Sequence, residues 1–174
     1  MKTLLAFLLF VAPVFAQDQS AAALAGAGCG PNEAEFNVKT DRKAHPMGQL
    51  APGKALVYII EDQPGTCVLD CVTVRTGLDG NWIGATQGTS YFYFSVDPGE
   101  HRICSEWQSS LKVLAKQGSA STLTAEPGKV YFFQARLLEH EKRTWEVILV
   151  PMDPAEGQFM IASTAYSTST PKKK

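Results

Sequence analysis

The stretch GLDGNWIGATQGTSYFYFSVDPGEHRIC, Gly77–Cys104, decides the fold class. Inside it, SYFYFSV (Ser90–Val96) puts Tyr91 and Tyr93 on one face of a strand and Phe92 and Phe94 on the other, because successive strand side chains point to opposite sides. Aromatics on both faces need cover on both, so this strand is expected at the centre of a layered β fold. Ahead of it, LDGN (Leu78–Asn81) carries the Asp-Gly pair that two-residue hairpin turns favour. Behind it, Pro98-Gly99 predicts a turn, and Asp97, Glu100 and His101 are expected to decorate that turn.

Working outward, the same grammar recurs. ALVYII (Ala55–Ile60), CVTVRT (Cys71–Thr76), HRICSEW (His101–Trp107), KVYFFQARLL (Lys129–Leu138) and TWEVILV (Thr144–Val150) are short runs rich in β-branched and aromatic residues. Pro52-Gly53, Pro98-Gly99 and Pro127-Gly128 each stand just before a strand. Proline presets φ at the second turn position and glycine accepts a positive φ at the third, which is the type II requirement. Their spacing is unequal, so the chain is not a solenoid. Near the C-terminus, DPAEGQFMIASTAY offers Asp153 as N-cap, Pro154 at the first helical position and Glu156 in the first turn, with Gly157 counting against the helix. The fold expected is mainly β: an antiparallel β-sandwich of about seven strands, immunoglobulin- or prealbumin-like, with one short C-terminal helix.

The N-terminus reads as an export address. Lys2 precedes an apolar run, Leu4 to Phe15, that is too short to span a bilayer, which takes roughly 20 residues. Val14-Phe15-Ala16 places cleavage after Ala16. No later segment suits a transmembrane helix, so the expected location is periplasmic or secreted. The expected organisation is a signal peptide over 1–16, a flexible linker over 17–35, a sandwich over 36–165 and a disordered basic tail over 166–174. A net charge of −1 excludes a nucleic-acid partner, since nothing basic clusters except Lys172–Lys174.

Export makes pairing of the four cysteines the expectation. Three connectivities are open. Cys67 and Cys71 in CVLDC would lie roughly 13 Å apart on a straight strand, so a bridge between them needs a bend. Pro64-Gly65 supplies one, which favours Cys67–Cys71 with Cys29–Cys104. GAGC before Cys29 puts Gly26 where a lipobox wants a branched apolar residue, so lipidation is not expected.

Chemistry is thin. The three histidines, His45, His101 and His140, are scattered without the short ligand pairs of a zinc site, so neither metal nor cofactor is expected. There is no G-x-S-x-G nucleophile elbow, CVLDC is not the redox C-x-x-C, and no Gly-rich loop carries a phosphate-cradling Lys. Trp82, Trp107 and Trp145 are read as core, with Trp82 the candidate for exposure beside Asp79 and Asn81, where a possible binding surface forms.

GKALVYIIED, GLDGNWIGATQGTSYFYFSVDPGEH and AEPGKVYFFQAR together resemble the exported bacterial family called domain of unknown function 2846. The order of a Gly-Lys-Ala strand, an Asp-Gly turn, a Pro-Gly-Glu-His turn and a Gly-Lys-x-Tyr strand carries the likeness over about residues 50–150. The resemblance implies a β-sandwich and no chemistry. Two functions follow as expectations. The first is a non-enzymatic envelope module that binds a protein or an envelope glycan or stabilises the cell envelope; the alternative is a hydrolase with a dispersed site near Asp97 and His101.

Overall fold

The computed structural model describes residues 28–31, 34–62, 72–108, 118–140 and 144–173. Among them are ten strands and one helix: β1 (Phe36–Asp41), β2 (Ala55–Glu61), β3 (Thr73–Leu78), β4 (Asn81–Gln87), β5 (Ser90–Val96), β6 (Gly99–Gln108), β7 (Gly118–Ala125), β8 (Val130–His140), β9 (Thr144–Pro151), α1 (Pro154–Ser163) and β10 (Ala165–Pro171). The strands form two packed sheets, one ordered β1-β10-β5-β2-β8-β9 and the other β4-β3-β6-β7. The protein is a β-sandwich with one short helix. Pairing is antiparallel except that β10 runs parallel to β5 and β2 runs parallel to β8.

The aromatic strand β5 lies inside the six-stranded sheet, between β10 and β2. Its Phe92 and Phe94 face the other sheet with Val57, Ile59, Val74, Ile103 and Val147. Its Tyr91 and Tyr93 face outward among Tyr58, Phe132 and Tyr166. Two covers close over this second aromatic face. The 42–54 segment donates Gly48 N–H to the Tyr58 hydroxyl and accepts the Tyr91 hydroxyl at the Pro46 carbonyl. Helix α1 seats Ile161 there.

Asp153 caps α1 by accepting from Ala155 N–H at 2.8 Å, and Pro154 opens the helix. Gly157 is not a weak point in it. A side chain there would run into the Phe132 ring, so glycine is what lets the helix lie on the sheet.

Two expectations are corrected. Residues 166–171 are not a disordered tail: they form most of β10, which pairs with β1 from Tyr166 to Pro171 and parallel with β5 at Ala165 and Tyr166. Their Ser/Thr-rich sequence lacks an apolar alternation, and pairing with β1 supplies what propensity does not. Residues 28–35 are also more than a linker. Cys29 is disulfide-bonded to Cys104, and Pro31 and Ala34 lie on the outer face of the four-stranded sheet. The expected signal peptide, residues 17–27 and the Cys67–Cys71 pair lie outside the described residues. No helix among the described residues is long and apolar enough to cross a membrane.

Candidate functional site

Three Pro-Gly turns gather at one end of the sandwich. Lys54 N–H closes the first on the Ala51 carbonyl at 3.1 Å, and Lys129 N–H closes the third on Glu126 at 3.2 Å, with Gly53 and Gly128 at φ 76° and 77°. The middle turn differs. Gly99 sits at φ 135°, and the Asp97 carbonyl accepts from His101 Nε2 at 2.8 Å, a role that the backbone N–H fills in the other two. The side chain of His101 therefore completes its turn.

The other nitrogen, Nδ1, lies 2.7 Å from Asp79 Oδ2. Asp79 and Gly80, with φ 50° and 80°, form the two-residue turn of the β3–β4 hairpin. Positive φ at both positions is the mirror-image turn that matches strand twist. Asp79 Oδ1 accepts from Arg102 N–H at 2.8 Å, and Asp79 N–H donates to the Arg102 carbonyl at 2.9 Å. His101 thus brackets two turns from separate hairpins. The bracket extends through Asp97, whose carboxylate pairs with Lys54 at 2.9 Å, to Lys54, whose carbonyl accepts from Gly128 N–H at 2.9 Å.

The partners fix the protonation. A backbone carbonyl and a carboxylate only accept, so both contacts are hydrogen bonds when both ring nitrogens donate, as in the imidazolium. Burial alone would lower its pKa. The hydrogen bonds to Asp79 and to the Asp97 carbonyl, with the charges of Asp79 and Asp97, outweigh it and raise the value above that of an ordinary histidine. For Asp79, burial pushes the pKa up, but hydrogen bonds from His101 and Arg102 N–H and the imidazolium charge together bring it below the ordinary value. Both shifts favour the ion pair, with His101 largely buried and Asp79 half-exposed.

Beside this bracket lies a concavity of about 390 Å³ lined by Asp79, Glu100, His101, Arg102, Ala120, Ser121 and Thr122. Arg102 and Thr122 stand opposite each other across the β6–β7 ladder. Carboxylates, an imidazole, a guanidinium and two hydroxyls therefore line one hollow, with no Phe, Tyr or Trp ring among them.

Of the sequence candidates, Asp79, Asp97 and His101 come together here. Asn81 stays local, its amide donating to the Asp79 carbonyl at 3.3 Å. Trp82 is half-buried on the outer face of the four-stranded sheet. Its indole N–H donates to Pro31 O at 2.9 Å, and its ring lies 4.2 Å from the Arg75 guanidinium carbon. Arg75 is fully buried, paired with Glu106 at 2.8 Å and bonded to the Ala34 carbonyl. Gln108 holds Phe36 in both directions, accepting from its N–H at 2.7 Å and donating to its carbonyl at 2.9 Å. Trp82 and Arg75 therefore anchor the N-terminal segment. Trp107 packs at the edge of the inter-sheet core, and the Trp145 and His140 side chains lie outside the described set.

A second hollow of about 400 Å³ holds Arg42 and His45 beside the C-terminus of α1. His45 Nδ1 lies 3.1 Å from the Ile161 carbonyl, and a basic group there satisfies helix-end carbonyls. No group of three or more metal-ligating side chains forms among the described residues.

Arg102, Ser121 and Thr122 were not singled out in the sequence. Nothing local marks them, because their meeting depends on how β6 pairs with β7. Compared with protein-family models, curated proteins and solved structures, the chain matches none.

Proposed function

We propose that this chain is an exported, non-enzymatic binding module whose turn end recognises a hydroxyl-rich glycan of the cell envelope. The observation that carries the reading is the double commitment of His101, at 2.7 Å to Asp79 and 2.8 Å to the Asp97 carbonyl. A general base needs a nitrogen free to take a proton, and neither is free. That counts against the hydrolase alternative near Asp97 and His101. The same bracket holds the turns in a fixed arrangement, which is what a recognition surface gains from rigidity. Turns gathered at the end of a sandwich are a common place for binding.

The lining sets the ligand class. Carboxylates of Asp79 and Glu100 accept from vicinal hydroxyls, while Arg102, Ser121 and Thr122 donate. The hollow has the size of a small-ligand pocket, which holds a sugar unit or two, and it is much smaller than a protein interface. Export is supported by the leader-like N-terminus and by the Cys29–Cys104 disulfide.

The test is titration of isotope-labelled protein with soluble peptidoglycan fragments and with neutral oligosaccharides. Amide shifts confined to Asp79, Glu100–Arg102 and Ser121–Thr122, lost in Arg102→Ala, are expected with either glycan class. Shifts elsewhere only, or cleavage of the probe, would contradict the proposal.

A further inference from the structure

Glu61 ends β2 at the opposite end of the sandwich from the Pro-Gly turns. It continues the row of Ala55, Val57 and Ile59 that faces the other sheet, and it is fully buried. Its cross-strand neighbours are Ser90 in β5 and Ala135 in β8. The carboxyl lies beside the Thr86 hydroxyl and the Gly88 N–H but closes a hydrogen bond with neither.

Two of the surrounding polar groups are already committed. Gly88 N–H donates to Val72 O at 3.0 Å. The Ser90 hydroxyl bonds Gln87 N–H at 3.1 Å, Gln87 O at 3.0 Å and the Ser167 hydroxyl at 2.7 Å. Both Glu61 oxygens and Thr86 Oγ1 are left as buried atoms without a partner among the described residues. From β4, β5 and β8 the facing side chains are Thr86, Ser90 and Ala135, none of them ionisable. The nearest charge along the chain is Asp62.

An unpaired carboxylate in such a place loses its hydration with nothing in return, whereas the neutral acid is tolerated far better. We propose that Glu61 is a proton-dependent latch: the sandwich closes at this end with Glu61 protonated, and loss of that proton loosens the packing of β2 against β4. Consistent with this, burial holds the Glu61 carboxyl well above the usual glutamate range, outweighing the opposite pull of the Thr86 hydroxyl and the Gly88 amide. The unfolded chain gives up the proton near the ordinary value of 4.5 and the folded chain holds it to a higher pH. Folded protein therefore binds the extra proton between those two values. Stability is fully present below the lower value, falls as pH rises through the window, and levels off above the folded value. Each pH unit inside the window lowers the folding constant about tenfold.

The test is denaturant unfolding of the full chain, disulfides intact, across mildly acidic to alkaline pH, for the native protein and for Glu61→Gln. The native folding constant is expected to fall with rising pH. Glu61→Gln, a neutral isostere, is expected to flatten the curve and to exceed the native constant at least about tenfold at alkaline pH. The slope that persists in the variant belongs to the other groups with raised pKa values, His101 and, at alkaline pH, Tyr58, Tyr91 and Tyr166. In native protein, amide exchange at Glu61 and Thr86–Gly88 should outpace the intrinsic pH effect, and in Glu61→Gln it should not. A variant less stable than native at neutral pH, with an unchanged slope, would overturn the latch. Should Glu61→Gln not fold, the infrared carbonyl band of a protonated acid, sought in native protein at neutral pH, decides instead: its absence overturns the proposal.

Discussion

At the residue scale, His101 and Asp79 stand 22 residues apart, and their pairing is the clearest thing the sequence conceals. Each belongs to its own turn, and each turn is legible by itself as Asp-Gly or Pro-Gly. Their contact is made by β3 pairing with β6, which sets Leu78 opposite Ile103 and brings the two turns together. His101 was expected to decorate its turn; it holds it instead. His101→Ala should therefore lower stability by on the order of 1 kcal/mol near pH 6, the scale of a partly solvated charged hydrogen bond. The difference has a window. It should fade as pH rises through the raised pKa of His101, where the native bracket loses its proton, and again as pH falls through the depressed pKa of Asp79. Urea unfolding of both proteins over that range checks it, and a pH-independent difference would contradict it.

At the element scale, punctuation was more legible than strands. The Pro-Gly turns, the Asp-Gly hairpin, the Asp153 cap and the central place of β5 all follow from local stereochemistry, and the structure has each of them. β1, β4, β7 and β10 were not among the listed runs. GSASTLTA and AYSTSTP are Ser/Thr-rich, so their strand state comes from pairing with β6 and β1 and not from a hydrophobic pattern. Gly157 misled in the other direction, because a helix-weakening residue is required by the Phe132 ring beneath it. Gly99 offers the sharper test. Its φ of 135° is closed to a β-branched residue, while space around its missing side chain is open. Gly99→Val should cost more than about 1 kcal/mol from backbone strain alone. Thermal unfolding measures this, and an unchanged midpoint would remove the middle turn from the account.

At the scale of the whole molecule, two sheets are closed by different means. The outer face of the six-stranded sheet is covered by the 42–54 segment and α1, and that of the four-stranded sheet by residues 28–31 and 34–35, tied through Cys29–Cys104, Trp82, Arg75 and Gln108. The sequence favoured that disulfide among three possible connectivities, and the structure has it. The hollow beside the turn end could not be foreseen, since its walls come from β6 and β7 and from a hairpin tip brought in by β3. What turns this geometry into a functional statement is the state of one imidazole. If the turn end is a fixed recognition surface, His101 is a cation at neutral pH with protons on both nitrogens. Nitrogen-15 chemical shifts of its ring, followed by NMR from pH 5 to pH 9 in the intact protein, read this directly. The account predicts two protonated nitrogens at neutral pH and a titration above that of an ordinary histidine. A neutral ring at pH 7 with one bare nitrogen would restore a general base to this site and contradict the central claim.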